Sequence, residues 1–255
     1  MIAFRLTILA ALSAPLLVAA APTSTISQPG RVPIVNNAAA IAAGLKSQPS
    51  TNDRLKKLLT DENGKLLTGD ALRQLTVFDY NNQKRATGAN GGSLLVATVE
   101  NFPFLTEMGL SGVVSFVEPC GLNIPHTHPR ANELLTVIDG ILDSGFVQEN
   151  GFNTEVRTRL GKYQATVFPM GSIHYQQNPT CEPAVFVAAV NSEDPGRSDI
   201  ATNFFMLSPD IVDASLGYPH TIGASNIDTY KSRLPVNLAA GVERCLKTCG
   251  LKDLN

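Results

Sequence analysis

Three of the four histidines in this 255-residue chain fall into two short clusters whose neighbours suggest a metal site. The first cluster runs Cys120-Gly121-Leu122-Asn123-Ile124-Pro125-His126-Thr127-His128-Pro129-Arg130-Ala131-Asn132-Glu133, and Gly140 closes the apolar run behind it. The second is Pro169-Met170-Gly171-Ser172-Ile173-His174, followed by Asn178. On an extended segment His126 and His128 leave the same face, so both imidazoles can meet one ion. Glu133 lies beyond a turn-forming stretch and opens the run Leu134 to Ile138, which reads as a buried strand. His174 arrives from another strand-like segment, Ile173 to Gln177, after a turn that Pro169 and Gly171 permit.

Three imidazoles and one carboxylate, with no thiolate, suit manganese, iron, nickel, copper or zinc better than magnesium or calcium. Held by His126, His128, Glu133 and His174, an octahedral ion keeps two open positions for water, dioxygen or a small bidentate acid. Such a site supports redox or hydrolytic chemistry. A lone His-X-His more often marks a solvated strand face, and it is Glu133, His174 and the framing Gly and Pro residues that shift the balance. The competing bland reading is a degenerate site that keeps its fold and binds metal weakly.

The elements that must position these residues follow from periodicity. Residues 21–36, with Pro22, Pro29 and Pro33 among Ser and Thr, read as an exposed arm. Asn37 to Leu45 and Asp53 to Leu59 read as short helices, the second capped by Thr51 or Asn52 and ended by Asn63-Gly64. From Leu75 onward the pattern is strands separated by turns: Ser93 to Val99, Val113 to Val117, Gly140 to Gln148, Thr154 to Leu160 and Ala184 to Val190. Asn150-Gly151 is a hairpin signal between two of them. Many short antiparallel strands imply a closed or nearly closed barrel able to enclose a small cavity. Beyond Ser208 the helical period returns in Pro209 to Leu216, Asn226 to Ser232 and Leu238 to Thr248. The expected organisation is thus 1–20 as a signal peptide, 21–74 as arm and short helices, 75–208 as barrel, and 209–255 as a helical extension.

Residues 120–140 resemble the first cupin motif, and residues 163–178 resemble the second, which ends Pro-X-Gly-X-X-His-X-X-X-Asn. The match is closest to the germin-like and spherulin-like branch of single-domain cupins. It extends to Phe102-Pro103-Phe104-Leu105 with Gly109-Leu110-Ser111 before the motifs and Asn191-Ser192-Glu193-Asp194-Pro195-Gly196 after them, so it spans roughly residues 75–215. The resemblance implies an all-β jelly-roll barrel with helical extensions. It also implies one ion at His126, His128, Glu133 and His174, usually manganese in germins, and assembly of dimers into hexamers through the C-terminal helices. Cys120 and Tyr163 stand where the motifs usually begin with glycine. Germins that oxidise oxalate resemble one another in using two asparagines to hold it; here the inner one is kept as Asn123, while the strand position is Val113. That departure weighs against oxalate oxidation and leaves metal binding untouched.

Composition agrees with an exported protein. Residues 1–20 carry one basic residue, Arg5, then an apolar run ending in small residues, which reads as a secretory signal peptide and not a membrane anchor. Cleaving it lowers the formal net charge of −2 by one unit, which gives no reason to expect nucleic acid or an anionic membrane as partner. Four cysteines in a secreted chain permit two disulfides. Cys245 with Cys249, Cys120 with Cys181, and either of the latter with the C-terminal pair all remain open. The stripe Leu238, Val242, Cys245, Leu246 and Cys249 more often covers its own core than another chain. His220 reads as a surface or interface residue.

The expected function is a secreted, possibly cell-wall, metalloprotein acting on superoxide or a small organic acid, chemistry that the germin-like resemblance implies. Glu133 is the candidate catalytic group, loosening to accept a proton. Val113, Asn123, Met170 and Gln176 are candidates for the pocket lining. The alternative is a storage, cell-wall or encystment-associated cupin whose ion stabilises the barrel.

Overall fold

The computed structural model describes residues 29–152, 154–223 and 225–252; the signal-peptide reading of residues 1–20 falls outside them. Three helices, α1 (Ala38–Lys46), α2 (Thr51–Leu59) and α3 (Gly69–Thr76), precede the strands. The Ser50 hydroxyl caps α2 by accepting from Asp53 N–H at 3.1 Å, so the cap falls before Thr51 and Asn52. The helix ends at Leu59, because Thr60 and Leu66 pair as an isolated bridge around the Asn63-Gly64 turn. Helix α3 runs through Leu75 and Thr76, where the sequence pattern points to strands, and the first strand begins only at Gly92.

Ten strands follow: β1 (Gly92–Ala97), β2 (Ser111–Val117), β3 (Leu122–Thr127), β4 (Glu133–Asp139), β5 (Leu142–Val147), β6 (Val156–Leu160), β7 (Ala165–Phe168), β8 (Ile173–Gln177), β9 (Ala184–Val190) and β10 (Ser198–Asp199). They form two five-stranded antiparallel sheets, ordered β1-β2-β9-β4-β7 and β10-β3-β8-β5-β6. This is a jelly-roll sandwich. Alternation drives it: in β9 Ala184, Phe186, Ala188 and Val190 point inward and are buried, while the intervening residues are more exposed. Phe186, Leu135, Val137, Leu142 and Phe168 fill the space between the sheets. Each such side chain, fully buried, contributes about 1.5–3 kcal/mol. Gly140 turns the chain between β4 and β5 at φ 79°, and a Cβ there would lie 2.8 Å from that of Ala184. The Asn150-Gly151 turn lies between β5 and β6, which pair as an antiparallel hairpin.

Helices α4 (Ile200–Phe205), α5 (Pro209–Ser215), α6 (Ile227–Lys231) and α7 (Glu243–Thr248) complete the described chain. The helix expected over Leu238 to Thr248 is shorter than its apolar stripe. Residues 237–239 are instead a non-helical segment held against β3: Ala239 bridges Leu122, the Asn237 side chain accepts from Ile124 N–H at 2.9 Å, and fully buried Leu238 joins the core. Helix α7 is then pinned to the barrel by disulfides Cys120–Cys245 and Cys181–Cys249, with Cα separations of 5.7 and 5.3 Å. Cys245 and Cys249 share a helix face and so cannot easily bridge each other, but both can reach the barrel. Among the described residues no helix is long and apolar enough to cross a membrane.

Candidate metal centre

The four expected ligands come from both sheets and converge between them. Strands β3 and β8 pair Leu122 with Gln177 and Asn123 with Gln176, then shift register so that His126 faces His174. Pro125 sits within the irregularity, where its missing N–H has no ladder bond to lose. His128 follows immediately after β3, and Glu133 opens β4 between Phe168 of β7 and Val190 of β9. His126, Glu133 and His174 are buried, and His128 is nearly so. One ligating atom from each of the four lies within 4.8 Å of all the others.

Each imidazole is held by a backbone carbonyl. Nδ1 of His126 donates to Ile124 O at 2.8 Å, Nδ1 of His128 to Gly196 O at 2.6 Å, and Nδ1 of His174 to Ser172 O at 3.0 Å. A carbonyl can only accept, so each Nδ1 carries a proton, and a ring in its neutral form presents a lone pair at Nε2. Glu133 Oε2 lies 3.0 Å from His128 Nε2 and 3.4 Å from His174 Nε2, and buried His174 Nε2 has no hydrogen-bond partner. Lone pairs facing a carboxylate repel unless protons or a cation intervene. A divalent ion meets that need, and the nitrogen and oxygen donors fit a transition metal.

Electrostatics favours the ligand forms. Burial, together with the charges of Arg197 and His174, holds His126 well below its ordinary pKa, against the opposing pull of Glu133. Burial pushes the Glu133 carboxyl upward, and His128 and His174 outweigh it when their facing Nε2 atoms carry protons, so the net shift is strongly downward. Those protons would sit at the same positions that a bound cation would fill.

Phe168 stacks on His174 with ring centroids 4.5 Å apart and planes 13° from parallel. Gly196, whose carbonyl holds His128, has φ 67°, and a Cβ there would lie 2.9 Å from Pro129 Cγ and Arg130 Nη2. Only glycine fits both constraints without strain.

A cavity of about 230 Å³ adjoins His126, His128 and Glu133. At ~30 Å³ per liquid water it has room for a small organic molecule. Val113 and Asn123 line it as expected. Gln176 sits behind Asn123, accepting from its side-chain amide, and Met170 is exposed in the turn before β8, outside the lining. His220 is exposed and lies outside the cluster. Leu94, Val96, Ser111, Phe186 and Arg197 also line it and were not among the pocket candidates. Ser111 Oγ is buried without a hydrogen-bond partner, and Arg197 donates from Nη2 to Asn123 Oδ1 at 3.1 Å and from Nε to Asp199 Oδ1 at 2.7 Å. Burial lowers the Arg197 pKa, with Asp199 opposing, yet a guanidinium stays charged. The available signal for Arg197 was a cation placed directly after Pro195-Gly196.

The family model described as Cupin matches residues 78–226. The chain belongs to the cupin family. Within it, this cupin groups with the spherulins and germin-like proteins. Spherulin-1A of Physarum polycephalum is 38% identical over 214 residues, covering 84% of this chain and 80% of that protein. Germin-like protein 8-9 of Oryza sativa subsp. japonica is 38% identical over 165 residues, covering 64% and 72%. A solved oxalate oxidase structure superposes with a TM-score of 0.53 at 25% identity, over 61% of this chain and 79% of that one. An 11S globulin from Wrightia tinctoria, at 11% identity and a TM-score of 0.55 over 64% and 40%, shares the fold. The two departures from the cupin motifs have a backbone meaning: Cys120 and Tyr163 have φ of 60° and 63°, the left-handed region that favours glycine.

Proposed function

We propose that this cupin is a secreted metalloprotein that holds one transition-metal ion, manganese, at His126, His128, Glu133 and His174 and acts on superoxide or a small organic acid. The carrying observation is the set of three Nε2 lone pairs, each fixed by a carbonyl at Nδ1, turned on one buried carboxylate. A manganese ion there would supply one-electron exchange and Lewis acidity. The chain's own residues do the rest. The carbonyls orient the imidazoles, Phe168 backs His174, and the sheets keep bulk water from all but the cavity side. Glu133 is the proposed proton acceptor: freed from the cation or protons that face Oε2, its buried carboxylate would be left with the upward push of burial alone. Val113 supports the reading against oxalate, because it presents an apolar group where a second amide would be needed.

The two disulfides support an oxidising compartment and hence export. A homo-oligomer is supported by exposed Leu134 and Val167, cross-strand partners on the outer face of their sheet, with Phe116 exposed on β2 of the same sheet.

The test is metal analysis of the purified protein with assays against superoxide and oxalate, repeated for His128→Ala. Near-stoichiometric manganese and superoxide turnover, both lost in the variant, are expected. A metal-loaded protein inert to both substrates would favour a storage or encystment role with a structural ion, and a protein that binds no metal would overturn the reading.

A further inference from the structure

All four cysteines of the chain meet on one side of the barrel. Cys120 precedes β3 and Cys181 follows β8, and the Cys120 N–H donates to Thr180 O at 3.2 Å, so the two barrel cysteines are close neighbours. Cys245 and Cys249 face them one helical turn apart, with Cys249 N–H donating to Cys245 O at 2.9 Å. The two disulfides therefore pack against each other. Cys120 Sγ lies 3.6 Å from Cys249 Sγ, which belongs to the other bond, and the Sγ atoms of Cys120, Cys245 and Cys249 all fall within 4.8 Å of one another. Their exposure differs: Cys120 is fully buried, Cys245 and Cys249 are partly buried, and Cys181 is exposed. A thiolate from solvent thus has access to the Cys181–Cys249 bond at its Cys181 end and none to Cys120.

We propose that the two disulfides form a thiol-exchange relay, in which a dithiol reductant that opens the exposed bond transfers Cys120 from Cys245 to Cys249. The dithiol attacks Cys181 Sγ, breaks the Cys181–Cys249 bond and expels Cys249 as a thiolate. Its second thiol closes on the mixed disulfide and expels Cys181, which takes up a proton, so the dithiol is oxidised by two electrons. The Cys249 thiolate then attacks Cys120 Sγ: the Cys120–Cys249 bond forms, the Cys120–Cys245 bond breaks, and Cys245 leaves as a thiolate that takes a proton from water. This exchange is redox-neutral. Proximity favours it, because the attacking sulfur already lies beside its target, whereas a solvent thiol meets a residue with no exposed surface. The relay keeps the chain at Cys249 tied to Cys120 but releases the first turn of α7 at Cys245, close to the segment where Ala239 bridges Leu122 of β3. The C-terminal clamp on the strand that carries His126 is loosened without being lost. The relay is independent of a bound metal.

Thiol trapping on the full-length protein tests this. The protein is incubated at about pH 8 with one equivalent of dithiothreitol, quenched in acid, alkylated with N-ethylmaleimide and mapped by peptide mass spectrometry. Label on Cys181 and Cys245, together with a Cys120–Cys249 linkage, is expected. Label on Cys181 and Cys249 with Cys120–Cys245 intact is reduction without exchange, and it would overturn the proposal. Label on Cys120 as well as Cys245 would also overturn it, because the dithiol would then have reached the buried bond directly. Cys181→Ser isolates the second step, since it frees the Cys249 thiol with no reductant present. At least roughly a tenth of the free thiol should then be found at Cys245, because exchange between two protein disulfides neither gains nor loses electrons. Thiol confined to Cys249 in a Cys181→Ser protein of unchanged circular dichroism would count against the relay as decisively as the first result.

Discussion

Phe168, from one sheet, lies flat against the imidazole of His174, from the other, with 4.5 Å between ring centroids. The contact ties the barrel core directly to the candidate metal centre, because Phe168 is itself a core residue. Phe168→Ala should cost about 3–5 kcal/mol of stability. Phe168→Leu preserves apolar volume better but removes the flat surface that fixes the ring. It should lower metal affinity by roughly tenfold, within the range seen when groups supporting a ligand are changed. Denaturant titration and competitive chelation separate the two effects; an unchanged metal affinity in Phe168→Leu would show that the stack does not orient His174.

Acid should destabilise the metal-free protein in a defined sense. His126 has a folded pKa below its ordinary value of 6.5, so the unfolded chain takes up its proton first as pH falls. Stability associated with the neutral ring is therefore complete above about pH 6.5 and lost progressively below it. Glu133 acts in the same direction from its ordinary value of 4.5 downward, since its folded pKa is also depressed. Thermal melting between pH 7.5 and 5 should show a falling midpoint, and His126→Gln should flatten the upper part of that slope.

The disulfides should matter through the denatured chain. Cys120–Cys245 spans 125 residues and Cys181–Cys249 spans 68. Loops of that length confine the unfolded ensemble strongly, and Cys245→Ser or Cys249→Ser should each cost about 2–5 kcal/mol. Both bonds anchor one short helix, so the double variant should lose less than the sum of the two. Urea unfolding of the three variants measures this directly, and strict additivity would contradict it.

Tyr163 stores local strain. Its φ is 63° and the residue is 74% exposed, so little packing offsets the left-handed conformation. Tyr163→Gly should raise stability by about 0.5–1 kcal/mol, and Tyr163→Val should lower it by more than about 1 kcal/mol. Opposite shifts of the melting midpoint are the expected result; movement in the same direction would remove the backbone explanation.

Much of the site was legible because its signals are local. The alternation that buries His126 and the carboxylate opening β4 are set by neighbours a few residues apart, and the strands Ile173–Gln177 and Ala184–Val190 were read to the residue. Legibility failed where a residue's role is assigned by distant chain. The apolar stripe at Leu238 looks helical by itself, yet Leu122 and Ile124 hold residues 237–239 against β3 outside any helix. Met170 has the right motif position but faces outward from its turn.

The sequence by itself determined the two-sheet alternation, the four metal-ligand candidates and the cysteine inventory, since strand period and motif spacing constrain side-chain direction over short range. Tertiary structure alone decided which cysteines pair, that Phe168 braces His174, and that Arg197 meets Asn123 in the cavity. Those outcomes depend on which strands become neighbours. Cross-chain burial selects that arrangement, and no short window of sequence contains it.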